Sequence, residues 1–76
     1  MTPALPVPNG EDVVKVFEHF GWEVVGRRGS HTMVKEGRLA TLSVPDHREV
    51  ARGTLRSLVR AADLTPDEFL EGLKGA

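Results

Sequence analysis

The sequence predicts an α+β two-layer sandwich: a three-stranded antiparallel sheet with two helices on one face, and a short helix at the C-terminus. Three observations carry this expectation. The chain has 76 residues, room for one core and one domain. Two segments repeat apolar residues at i, i+3, i+4 and i+7, namely Val13, Val16, Phe17, Phe20 and Leu55, Leu58, Val59, Ala62. That is the spacing of one helix face. Between them lie three β-prone runs whose connections are too short for parallel crossovers, so the strands form an antiparallel meander.

Each element has its own signals. Prolines alternate from Pro3 to Pro8, which predicts an extended leader over residues 1–9. The first helix is expected over about 10–20. Asn9 caps it, Glu11 and Asp12 place negative charge in its first turn, and Gly21 stops it. Trp22 to Arg27 is aromatic and β-branched, the first strand, and Arg28-Gly29-Ser30 is a turn. His31 to Glu36 is the second strand and Glu36-Gly37-Arg38 a short hairpin connection. Leu39 to Val44 is the third strand, with Ala40, Leu42 and Val44 on one face and Leu39, Thr41 and Ser43 on the other. Pro45 ends it and opens an irregular loop to Gly53. Thr54 is expected to cap the second helix. Thr65-Pro66-Asp67-Glu68 is a capping box with proline at the first helical position, and turns Phe69, Leu70 and Leu73 inward. Residues 10–76 read as a single domain without internal repeats.

Composition narrows the function. At 39% hydrophobic and 28% charged residues the chain is globular rather than disordered. It is too short for a barrel enzyme of ~250 residues. It contains no cysteine, which removes disulfides, thiolate metal sites and a cysteine nucleophile, and favours the cytoplasm. No apolar run approaches the ~20 residues of a membrane span, and no signal-peptide core is present. The net charge of −1 conceals a segregation. Residues 1–26 carry −3, residues 27–60 carry +5 and residues 61–76 carry −3. A basic middle between acidic ends points to a polyanionic partner.

Candidates for proton transfer near neutral pH are the three histidines. His19, between Glu18 and Phe20, reads as an exposed helix residue. His31 follows Gly29-Ser30 where a turn becomes a strand, a rigid mount for a base. Alternation puts His31, Met33 and Lys35 on one face and Thr32, Val34 and Glu36 on the other. If Val34 faces the helices, His31 points to the open face; if Met33 is the core residue, the assignment reverses. Alternation leaves both open. His47 lies in the loop after Pro45, where a rigid scaffold often displays function. Arg52, Arg56 and Arg60 share a helix face with no acidic residue before Asp63 to pair with them. Arg27, Arg28 and Arg38 lie at the turns of the meander, and the helix start at Gly53-Thr54 offers backbone donors to phosphate. A Gly-rich phosphate loop, a zinc-protease motif and a Cys/His cluster are all missing.

Gly21, Gly29-Ser30-His31, Pro45-Asp46-His47 and Gly53-Thr54-Leu55-Arg56, in this order and spacing, resemble the HicA toxins of bacterial type II toxin–antitoxin systems. The resemblance runs from about Asp12 to Phe69; the proline-rich leader lies outside it, and the acidic ends depart from a family that is often more basic. It implies a fold like a double-stranded RNA-binding domain, α-β-β-β-α. It also implies an endoribonuclease that cuts mRNA and is neutralised by a HicB-like antitoxin covering its active site; because RNA carries its own nucleophile, the 2′-OH, no metal or cofactor is expected. It makes His31 the catalytic residue, with Gly29 permitting the turn that presents it and Ser30 beside it. His47 would support the site or bind RNA, and Arg27, Arg28, Arg38, Thr54 and Arg56 would bind RNA phosphate or support the site.

The alternatives are a noncatalytic RNA-binding module with the same fold, and an interaction domain whose arginine face meets an acidic protein. The first is disfavoured because the last long helix opens Gly53-Thr54-Leu55-Arg56, without the lysines usual in such modules. Because the acidic ends are distant in sequence from both candidate histidines, Glu11, Asp12, Glu68 and Glu71 are expected to face away from His31.

Overall fold

A computed structural model describes residues 7–75 of the chain. Its order is α1 (Gly10–His19), β1 (Glu23–Arg27), β2 (Ser30–Val34), β3 (Leu42–Pro45), α2 (Arg52–Ala61) and α3 (Pro66–Gly75). The strands form one antiparallel sheet in the order β1-β2-β3. This is the expected α-β-β-β-α arrangement with a further C-terminal helix.

The local signals work as read for α1 and α3. The Asn9 side chain accepts from the Asp12 backbone N–H at 2.8 Å, and Gly21 follows the helix at φ +98°. Thr65 and Glu68 form the reciprocal box: the Glu68 N–H donates to Thr65 Oγ1 at 3.1 Å and the Thr65 N–H to Glu68 Oε1 at 2.9 Å. This box opens the expected C-terminal helix, which runs for 10 residues, as long as α1 and α2.

Helices α1 and α2 cover one face of the sheet. Met33, Leu42 and Val44 point into the layer between them and meet Val13, Val16, Phe17, Leu55 and Val59. Trp22 seals the end of the layer at 2% exposure. The helix α3 closes the other side of α1: Phe69 meets Phe17 edge-on at 6.0 Å, and Gly72 lets the two helices approach, since a Cβ there would lie 2.8 Å from Val16 Cγ1.

Several strand ends shift by a residue or two, β2 running Ser30–Val34 where 31–36 was expected, and two differences are larger. The third strand begins at Leu42, not Leu39. The chain already turns at Lys35, whose carbonyl accepts from the Arg38 N–H at 3.0 Å, with Gly37 at φ +82°. Residues 39–41 therefore have no strand opposite them, and Leu39 is fully exposed. The second difference is at α2, which starts at Arg52 with Ala51 as its cap and no side-chain cap bond, so Thr54 lies inside the helix. Val50 sets this start. It is completely buried and its N–H donates to the Pro8 carbonyl at 2.8 Å, so the first turn closes from Leu55 N–H to the Ala51 carbonyl at 2.8 Å. Of the expected leader, residues 1–6 lie outside the described residues; Pro8 is buried under this contact.

Candidate active site

The site begins with a turn. Gly29 takes φ +69°, a conformation costly for other residues, and the Arg28 N–H donates to the Ser30 carbonyl at 3.1 Å. The chain thus enters β2 directly at Ser30, and His31 is held on both sides, paired with Arg27 on β1 and Val44 on β3. The alternation left open in the sequence is settled by burial. Met33 is fully buried, so His31, two residues away, also faces the helices. Ser30 faces the opposite way, where its Oγ accepts from Ser43 Oγ at 3.2 Å.

A β-bulge delivers Arg27 to the same face. Val24 pairs with Met33 and points inward, and strict alternation would turn Arg27 outward. The register shifts by one residue between Val24 and Gly26, Val25 is left 60% exposed, and Arg27 comes opposite His31.

Above this pair lies the outer edge of α1. Glu11, Val14, Lys15 and Glu18 repeat at helical spacing and, with Arg27 and His31, line an open cleft of about 170 Å³. Within it His31 is half-buried, and its Nδ1 is shielded and has no hydrogen-bond partner among the described residues. A second hollow of about 210 Å³ is lined by Asn9, Gly10, Glu11, Asp46, His47 and Arg48. Glu11 lines both.

Backbone contacts join the two hollows. The Gly10 N–H donates to the His47 carbonyl at 2.9 Å, and the Asp46 N–H to the Gly29 carbonyl at 3.3 Å. Gly10 is required here because a Cβ would collide with the Pro45 carbonyl oxygen. The turn carrying His31, the loop carrying His47 and the start of α1 are therefore tied together.

Not every candidate converges. Arg28 is exposed on the turn without lining either hollow. Arg38 lies at the other end of the sheet, because successive turns of a meander alternate ends, and its guanidinium pairs with Asp63 at 3.0 Å. Thr54 and Arg56 are exposed on α2, off both hollows. His19 is exposed, packed edge-on against Phe20 with ring centres 5.2 Å apart. The expected separation of acidic residues from His31 fails at Glu11, which lines its cleft together with Glu18. The cause is packing: α1 must lie across the sheet to bury Val13, Val16 and Phe17, and its flank then overhangs the end of β2. Glu11, Lys15, Glu18 and Arg48 escaped the sequence reading. The one available signal was a second stripe at 11, 14, 15 and 18 beside the apolar one.

Chemically, the cleft offers an imidazole for proton transfer, a guanidinium beside it for an anionic oxygen, and carboxylates to balance an imidazolium. A small α+β fold carrying one histidine cleft against its first helix defines the class of protein. A model of the family described as HicA toxin of bacterial toxin-antitoxin matches residues 10–64, from the start of α1 to just past α2. That span is most of the chain, and the chain belongs to this family, the toxins of bacterial toxin–antitoxin systems. No curated protein matches it. Among the described residues no helix is long and apolar enough to cross a membrane.

Proposed function

We propose that the protein is an endoribonuclease that cuts mRNA, acts in the cytoplasm, and is held inactive by a HicB-like antitoxin that covers the cleft. The observation that carries this reading is the pairing of His31 with Arg27 across the strands, at the open end of a cleft beneath α1. RNA brings its own nucleophile. In the proposed step His31 takes the proton of a ribose 2′-OH, the 2′-oxygen bonds to the adjacent phosphorus, and the bond from phosphorus to the 5′-oxygen breaks; the 5′-oxygen takes a proton from water, and the imidazolium later returns its own to solvent. The products are a 2′,3′-cyclic phosphate and a free 5′-OH. Arg27 stabilises the charge that builds on the phosphate oxygens, and Arg28 and His47 hold the strand on either side. Glu11, between the histidine hollows, stabilises the imidazolium that forms. In this reading RNA supplies the nucleophile and His31 the proton acceptor, so the step is written without a metal or organic cofactor.

The test is cleavage of labelled single-stranded RNA in EDTA by the purified protein and by His31→Ala. General acid–base catalysis contributes about 10²–10⁴-fold, and a loss of that size is expected, with growth arrest abolished. Cleavage by His31→Ala at the wild-type rate would overturn the assignment. A gel shift without cleavage by the wild-type protein would instead support a noncatalytic RNA-binding module.

A further inference from the structure

We infer that Arg52, Arg56 and Arg60 on α2 form a docking track for the phosphate backbone of single-stranded RNA, separate from the cleft; this rests on the ribonuclease reading. The first reason is what the cleft lacks. Its charged walls are Glu11 and Glu18 against Lys15 and Arg27, two of each sign. Affinity for nucleic acid comes chiefly from phosphates neutralised by Lys and Arg, and such a cleft supplies no net cation. Tight binding then needs further positive charge outside the cleft.

The α2 helix has it. All three arginines are exposed, and at i, i+4 and i+8 they lie along one line spanning ~12 Å of the helix. The helix contains no acidic residue, and among the described residues the sole ion pair is Arg38–Asp63. The face is therefore unneutralised. Along the chain the track follows the second hollow: the loop that carries His47 and Arg48 leads into Arg52 at the start of α2. The chemistry of the face favours a nucleic acid over a protein. Protein interfaces enrich arginine too, but around an apolar, aromatic-rich core. Here Leu55, Leu58 and Val59 are all buried, and the exposed residues of α2 are arginine, glycine, serine, threonine and alanine.

The track is tested by anisotropy of a fluorescein-labelled single-stranded RNA of mixed sequence over a series of KCl concentrations. Binding is measured for His31→Ala, which prevents cleavage, and for the same protein carrying Arg52→Gln, Arg56→Gln and Arg60→Gln. Thermal unfolding confirms that both are folded. Removing three phosphate contacts is expected to lower the slope of log K against log salt by about 2, and to weaken binding on the order of 10²-fold at about 50 mM salt. Lys74→Gln, on α3, serves as a charge control and is expected to leave the slope unaltered. If the parent binds and the triple variant matches it in slope and affinity, the track is refuted while the ribonuclease reading stands. If the parent itself binds no RNA at the lowest salt, both fall.

Discussion

His31 and Arg27 show how the face a side chain occupies depends on its partners. The histidine sits two residues from a fully buried methionine and so faces the helices, and the arginine reaches it through one extra residue in β1. Arg27 is exposed and makes no ion pair among the described residues, so its loss should cost little stability. Arg27→Ala is expected to reduce kcat/KM for RNA cleavage about 10²-fold, the scale of losing one positioned donor to a developing anion. Its unfolding midpoint in urea should match that of the wild type. A variant that cleaves normally would remove Arg27 from the mechanism. The type and spacing of His31 were visible in the sequence. The placing of Glu11 and Lys15 beside it was not, because it depends on where a helix flank overhangs a strand end.

At the scale of elements, the boundaries follow whichever local signal is completed by a partner. The capping box of α3 is complete within four residues and so was legible. Thr65→Ala removes one side of it and is expected to cost about 1 kcal/mol, read from chemical denaturation. No measurable loss would mean that the packing of Phe69, not the cap, sets the start of α3. Thr54 gave the same kind of signal and misled. The helix entry is fixed one turn earlier by burial of Val50, a residue in a segment with no periodicity to betray it. Leu39 and Ala40 likewise alternate as a strand should, yet pair with nothing because β2 has already ended.

The whole molecule is small enough that each layer matters. The family match ends at residue 64, yet Phe69 of α3 is completely buried against Phe17. A chain of this size has little stability in reserve. A version ending at Leu64 is expected to lose its cooperative thermal transition by circular dichroism; retention of a sharp transition would show that α3 is dispensable to the core. Charge is also organised at this scale. The acidic N-terminal segment does not turn away from the basic middle: α1 lays Glu11 and Glu18 over the cleft, while three arginines without an ion pair among the described residues line α2.

The sequence alone determined the order of elements, the antiparallel meander, the inward stripes of α1 and α2 and the histidine at the head of β2. All of these rest on periodicities and turn residues that act within a few positions along the chain. Tertiary structure decided which face His31 occupies, the bulge that brings Arg27 to it, the placing of Arg38 at the far end of the sheet and the presence of carboxylates in the cleft. These depend on which residues are buried together across distant segments: burial of Met33 selects the face of His31, and one extra residue in β1 reverses the side chains that follow it.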